Sequence, residues 1–323
     1  MIVIIILLIV LFSFLLIKSS DLVVLAVRGI AKDFRTTAFT ISALVLALGT
    51  SLPELFVAIT SAVEKFPNLS LGVVIGSNIA NIALIGGLSA IFSGRVLVHG
   101  EFLRRDVWIS FVAGLLPFIL IADETLGRAD GLILLSLYLV YVAGFFKRRL
   151  GEIEREQKES GFVFRFIRRF NHLNLRKGRE LAKLFAGIVL LLFSAEVIVK
   201  LSSNLAKQAN LPIFLVGLLV IALGTSLPEL AFSIRALTDH EPSMFFGNIL
   251  GSTIVNSTLV VGLTAVIYPI EVNELNQYLI SALAFIGIFL SFWFFIRTKH
   301  RLDRWEAMLL LILYLTFFVV EFV

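Results

Sequence analysis

The sequence predicts an all-α membrane protein with ten transmembrane helices in two inverted five-helix repeats. Three observations predict it: an apolar, charge-poor composition, ten charge-poor runs long enough to cross a bilayer, and a nine-residue motif that occurs twice. Of the 323 residues, 59% are hydrophobic and 16% charged, with 30 Phe and a mean hydropathy of +0.98. Soluble domains average about 45–50% apolar and about 25% charged residues. A soluble domain of this length could not cover so much apolar surface with so few charges. There is no Cys, which excludes disulfides, thiolate metal sites and cysteine nucleophiles.

A bilayer core of about 30 Å takes roughly 20 apolar residues per helix. The charge-poor runs are 2–24, 37–63, 69–93, 107–122, 130–146, 184–203, 212–237, 243–269, 275–296 and 305–323. The first has no basic stretch before it and no small-residue cleavage site after it, so it reads as a retained span rather than a signal peptide. Lys and Arg orient the chain, because they are retained on the cytoplasmic side. With both termini outside, 24 of the 28 basic residues lie inside and only Lys65, Arg128, Lys200 and Lys207 outside. The net charge of +5 is then mostly a topology signal, and no nucleic-acid partner is expected. The basic stretch 147–183 is the one long polar connection and is expected to be a cytoplasmic loop. Its FVFRFIRRFNHLNLRK portion suits an anionic leaflet, or a flexible linker held inside by its charge.

Offsetting the chain against itself by 175 residues gives an ungapped match. Ala47–Leu55 (ALGTSLPEL) recurs identically as Ala222–Leu230, and GSNIAN at Gly76–Asn81 matches GSTIVN at Gly251–Asn256. Nine consecutive identities make this a duplication. The expected organisation is a first half at 1–146 with its repeat core at 37–93, the loop at 147–183, and a second half at 184–323 with its repeat core at 212–269. Five spans per half invert the second half relative to the first, which is the plan of secondary transporters.

The motif carries Glu54 and Glu229 deep into apolar spans. A carboxylate there costs at least ~2.5 kcal/mol on insertion scales and needs a partner or an aqueous cavity. No basic residue stands at that depth in the second, third, seventh or eighth span, which leaves protons or bound cations as partners. Pro53 and Pro228 lack an amide hydrogen, so they free carbonyls around 47–50 and 222–225. Irregular backbone at this depth is tolerated where it lines a cavity. Thr50, Ser51, Thr225 and Ser226 place hydroxyls beside the breaks. Ser77 with Asn81, and Ser252 with Asn256, stand four residues apart and share a helix face. Gly72 and Gly76, like Gly247 and Gly251, form small-residue pairs that permit close helix approach. Each feature alone has a packing explanation. Together they give an all-oxygen set suited to hard cations such as Ca²⁺ and Na⁺ rather than softer metals. All four His lie in connections, so Ser51 and Ser226 have no catalytic base, and no enzyme is expected.

At GTSLPEL–GSNIAN and its second copy the sequence resembles the sodium/calcium exchanger family of the cation/calcium antiporter superfamily, in its prokaryotic form. The resemblance implies ten helices in two inverted halves and ion sites between helices 2, 3, 7 and 8. It further implies alternating access moved mainly by helices 1 and 6. Carried over by motif position, it implies Glu54 and Glu229 as the central carboxylates shared by Na⁺ and Ca²⁺. Thr50, Ser51, Thr225, Ser226, Ser77 and Ser252 would complete the Na⁺ sites. The carbonyls of Ala47 and Ala222 would contribute at the flanks, and Asn81 and Asn256 would line the centre. Two residues depart from the pattern: Asn256 stands where many members have Asp, and Val73 where the first repeat commonly has Asn, which Asn248 retains in the second. Two ionised Glu balance one Ca²⁺ or two monovalent ions, so coupling other than three Na⁺ per Ca²⁺ is expected, with protons as a substitute for Na⁺.

The leading expectation is therefore a Ca²⁺ antiporter with Na⁺ as counter-ion. The alternatives are a proton-coupled exchanger of Ca²⁺ or another divalent cation, a cation channel, and a membrane enzyme or scaffold. No cofactor is expected beyond the transported Ca²⁺ and Na⁺, or H⁺. The expected partners are membrane lipid and inorganic cations, with the protein acting as a monomer in a prokaryotic plasma membrane.

Overall fold

In lipid every backbone amide and carbonyl must be satisfied within the chain, so apolar runs of this length become helices. The computed structural model describes residues 2–31, 49–97, 101–156, 175–240, 242–272 and 275–322. Helix α1 spans Ile2–Ala31. Helical residues 49–50 lead into α2, Leu52–Val63. Helix α3, Pro67–Ser93, contains a π-helical stretch at Asn81–Ile85. Strand β1 (Arg95–Leu97), α4 (Glu101–Leu120), strand β2 (Thr125–Leu126) and α5 (Arg128–Glu156) follow.

The second part begins with α6, Leu175–Ala209. Helix α7 runs from Ile213–Leu215 through a π-helical stretch, Val216–Ile221, to Ala222–Thr225. Helix α8, Leu227–Thr238, restarts beyond Ser226. Helix α9, Pro242–Ile267, again carries π geometry, at Val255–Val260. Strand β3 (Ile270–Glu271), α10 (Leu275–Lys299), strand β4 (Arg301–Asp303) and α11 (Arg304–Phe322) complete the chain.

Among the described residues seven helical spans are long and apolar enough to cross a membrane, with α7 and α8 together forming one of them (Ile213–Thr238), and α2 is a shorter apolar helix of 12 residues. Residues 37–48 of the expected second span, Ala47 among them, lie outside the described residues. Helix α5 continues past the expected span end to Glu156 and α6 starts at Leu175, so both ends of the 147–183 stretch are helical. Residues 157–174, which hold most of its Phe–Arg segment, lie outside the described residues.

Helices α3 and α9 form the centre, 89% and 78% buried over their spans, against 28% for α1 and 33% for α6. Those two outer helices pack on each other and present Leu7, Val10 and Phe14, and Phe185 and Phe193, outward as a lipid-facing surface. Aromatic packing joins the other side: Phe111 of α4 meets Phe285 and Phe289 of α10, and Phe292 meets Phe246 of α9. Two antiparallel pairings clip the connections together, β1 to β4 (Arg95 opposite Asp303) and β2 to β3 (Thr125 opposite Glu271).

The paired glycines behave differently in the two copies. A Cβ on Gly72 would lie 2.1 Å from the Phe214 carbonyl oxygen, and one on Gly76 2.2 Å from that of Leu218. Only hydrogen fits there, which is how α3 reaches the backbone of α7. Gly247, by contrast, has nothing within 4 Å of its Cβ position. The expectation of close approach holds for the first pair and fails at Gly247, because no helix backbone faces it.

Candidate functional site

Over their described residues the two motif copies fold the same way. Thr50 and Thr225 end one helical segment, Ser51 (φ −88°, ψ 6°) and Ser226 (φ −84°, ψ 2°) turn the chain, and Leu52 and Leu227 begin the next. Pro53 and Pro228 then fall in the first turn of the new helix, where a missing N–H is harmless. That placement puts Glu54 and Glu229 in the first turns of α2 and α8, where the positive end of the helix dipole favours negative charge.

Of the twelve candidate ligands only Ala47 lies outside the described residues; the other eleven are all buried. Glu54 and Glu229 are both 0% exposed. Ser77 donates to Glu54 Oε1 at 3.4 Å, and the Thr225 hydroxyl also faces this carboxyl group. Glu54 Oε2 and both Glu229 carboxyl oxygens have no hydrogen-bond partner. Among the described residues no Lys, Arg or His is buried, so neither carboxylate has a basic partner.

The other candidates divide into engaged and open groups. Thr50 donates to Asn248 Oδ1 at 3.2 Å and stands 3.5 Å from Ser252 Oγ. Thr225 instead bonds back onto its own helix, to the carbonyls of Ile221 (3.2 Å) and Ala222 (3.3 Å). The Ala222 carbonyl also accepts the Ser226 amide at 3.1 Å, so both its lone pairs are engaged in this conformation. Ser51 Oγ, Ser226 Oγ, both amide atoms of Asn81 and Asn256 Oδ1 are buried without partners. An unpaired polar group buried away from water costs about 1–3 kcal/mol. Orphaned oxygens of this kind, around two unneutralised carboxylates, are what a desolvated hard cation requires. Among the described residues no group of three or more His, Cys, Asp or Glu occurs, so such a cation would depend on hydroxyl, amide and carbonyl oxygens beside the Glu pair.

Two residues at the site were not singled out from the sequence. Asn78 lies within GSNIAN but away from the Ser77–Asn81 face. It accepts from Asn256 Nδ2 at 3.3 Å and donates to Ser257 Oγ at 2.7 Å. Asn248, noted only as a retained family residue, donates to Ser233 Oγ at 3.2 Å and to the Glu229 carbonyl at 3.4 Å while accepting from Thr50. At the equivalent positions of the first copy stand Val73 and Ala58, so both ends of this link are polar in the second copy and apolar in the first. That paired difference was readable in the sequence alone.

The sodium/calcium exchanger protein family matches residues 4–147 and 180–323. The inner membrane protein YrbG of Escherichia coli is 31% identical over 263 residues, covering 81% of this chain and 79% of that protein. The sodium/calcium exchanger MaX1 of Methanosarcina acetivorans is 28% identical over 341 residues, 95% of each chain. Solved structures of the sodium-calcium exchanger NCX_Mj, one of them soaked with Na⁺ and Ca²⁺, superpose at TM-score 0.62 with 26% identity over 96% of each chain. With both halves matched, this integral membrane protein belongs to the sodium/calcium exchanger family.

Proposed function

We propose that the chain is a secondary antiporter that exchanges Ca²⁺ for Na⁺ by alternating access, binding its ions at the midplane between the motif-bearing helices. The observation that carries this reading is the pair Glu54 and Glu229: both fully buried, with three of four carboxyl oxygens unpartnered and no buried base among the described residues. Glu54 and Glu229 are the central ligands. Ser51, Thr50, Ser77, Thr225, Ser226 and Ser252 supply hydroxyls, Asn81 and Asn256 amide oxygens, and Ala47 and Ala222 carbonyls at the flanks. The relatives named as sodium/calcium exchangers support the choice of ions.

In this reading ten spans form two inverted halves, 1–146 and 184–323, with both termini outside and the 147–183 stretch in the cytoplasm of a prokaryotic cell. The protein works as a monomer and without a cofactor. Because Asn256 brings no charge, the site balances one Ca²⁺ or two monovalent cations, and coupling departs from three Na⁺ per Ca²⁺. Protons are the second candidate counter-ion, since a buried carboxylate without a basic partner can be neutralised by H⁺ as well as by a metal cation.

Flux of ⁴⁵Ca in proteoliposomes under separate Na⁺, K⁺ and H⁺ gradients tests the proposal. Uptake driven by an outward Na⁺ gradient, saturable and dependent on the trans ion, is the expected result. Uptake that follows only a pH gradient would establish proton coupling. Flux without a trans counter-ion would point to a channel, and net charge movement at three Na⁺ per Ca²⁺ would overturn the coupling argument.

A further inference from the structure

Helix α1 carries two buried serines that meet the two motif breaks, and only one of them is hydrogen-bonded. Ser20 donates to the Gly49 carbonyl at 2.9 Å. Gly49 lies four residues before Pro53, so its carbonyl is the acceptor that the proline leaves without its helical donor. Ser13 packs against Gly224: its Oγ is 2.9 Å from where a Cβ on Gly224 would stand. Gly224 bears the same relation to Pro228, yet Ser13 Oγ is buried and has no partner. Ser13 and Ser20 are seven residues apart, two helical turns and about 10.5 Å, on one stripe of α1. The equivalent positions of α6 hold Ile188 and Ala195, neither of which carries a hydroxyl.

We propose that Ser20 and Ser13 are alternate positioning contacts of α1. Ser20 holds the Gly49 carbonyl in the conformation seen here, and Ser13 takes the Gly224 carbonyl once α1 has shifted along its axis. Each contact ties one motif break to α1 and releases the other, so the position of α1 sets which break is held. This inference rests on the alternating-access reading above.

Loss of one such hydrogen bond shifts a two-state balance about fivefold. Ser20→Ala removes a bond made in this conformation and shifts the balance away from it. Ser13→Ala removes the bond of the other conformation, and an unpaired buried hydroxyl from this one, so it shifts the balance the opposite way. The test compares half-saturating Ca²⁺ at the two membrane faces, using right-side-out and everted vesicles, for both single variants and the double variant. The expected result is that the ratio between faces moves about fivefold in opposite directions for the two single variants and returns toward wild type in the double. Equal changes at both faces, or shifts in the same direction, would overturn the latch while leaving antiport standing. Absence of counter-ion-dependent ⁴⁵Ca flux in the wild type would instead remove the functional reading. Thermal unfolding in detergent supplies a transport-independent check. Ser20→Ala should lower the midpoint and Ser13→Ala should not, and the reverse order would overturn the contacts themselves.

Discussion

Asn256 and Asn78 are joined side chain to side chain across the two motif copies, Asn256 Nδ2 donating to Asn78 Oδ1 at 3.3 Å. The bond fixes the Asn256 amide so that its Oδ1, buried and unpartnered, is left for another ligand. It also shows how the site would receive a third carboxylate. In Asn256→Asp an acidic oxygen would face Asn78 Oδ1. A flip of the Asn78 amide would present its NH₂ to the new carboxylate, and Ser257 Oγ, now 2.7 Å from Asn78 Nδ2, would become the donor to Oδ1. Asn256→Asp is therefore expected to fold normally. At an effective dielectric of about 20, a unit charge about 4 Å away is worth about 4 kcal/mol, so Ca²⁺ should bind at least about tenfold more tightly. Equilibrium ⁴⁵Ca binding measures this. Combining it with Asn78→Ala, which removes the flipping amide, should lower part of the gain.

Glu54→Gln and Glu229→Gln test the carboxylates directly. Neither has a basic partner among the described residues, so neutralising either one breaks no ion pair there and leaves the fold intact. What is lost is charge aimed at the ligand, and Ca²⁺ flux should fall by about 100-fold or more for each, since a buried charge–charge contact is worth several kcal/mol. Gel-filtration profiles and unfolding midpoints near wild type should accompany the loss. Unchanged flux in either variant would remove that residue from the site.

Much of this is legible in the sequence. Pro53 and Pro228 located the helix breaks because a missing amide hydrogen is a local property, and the break then set Glu54 and Glu229 in first turns. The π-helical stretches at Asn81–Ile85, Val216–Ile221 and Val255–Val260 had no such signal. They add a residue to a turn in response to packing, and no residue type announces that. Gly72 and Gly247 show the same limit: identical residues at equivalent places, one pressed on a backbone and the other open, because the partner lies elsewhere in the chain. The Asn78–Asn256 and Ser20–Gly49 contacts likewise join residues 178 and 29 apart, beyond the reach of local pattern.

The link from Thr50 through Asn248 to Ser233 and the Glu229 carbonyl exists in one copy only. Asn248→Val, which reproduces Val73, leaves Ser233 Oγ without the amide that donates to it and should cost about 1–3 kcal/mol. Ser233→Ala, which reproduces Ala58, removes that stranded group. The double variant should therefore be less destabilised than the sum of the two single ones, as expected of groups sharing one network. Thermal or denaturant unfolding in detergent measures the cycle. Strict additivity would mean that the two side chains act independently.

Gly76 and Gly247 give the clearest steric contrast. A methyl group at Gly76 would lie 2.2 Å from the Leu218 carbonyl oxygen and 2.7 Å from the Ala222 Cβ. Both obstacles belong to the backbone of α7 or to a side chain with no rotamers, so neither can move aside alone. Gly76→Ala should push α3 from α7, destabilise the protein by 3 kcal/mol or more on the scale of about 1–3 kcal/mol for ordinary overpacking, and abolish exchange by displacing Ser77 from Glu54. At Gly247 the same methyl meets nothing within 4 Å, and alanine is the better helix former by about 1 kcal/mol. Gly247→Ala should leave the unfolding midpoint at or slightly above that of the wild type. A large loss there would overturn the open surroundings of Gly247, whereas slowed exchange at an unchanged unfolding midpoint would mean that a backbone approaches it in another conformation.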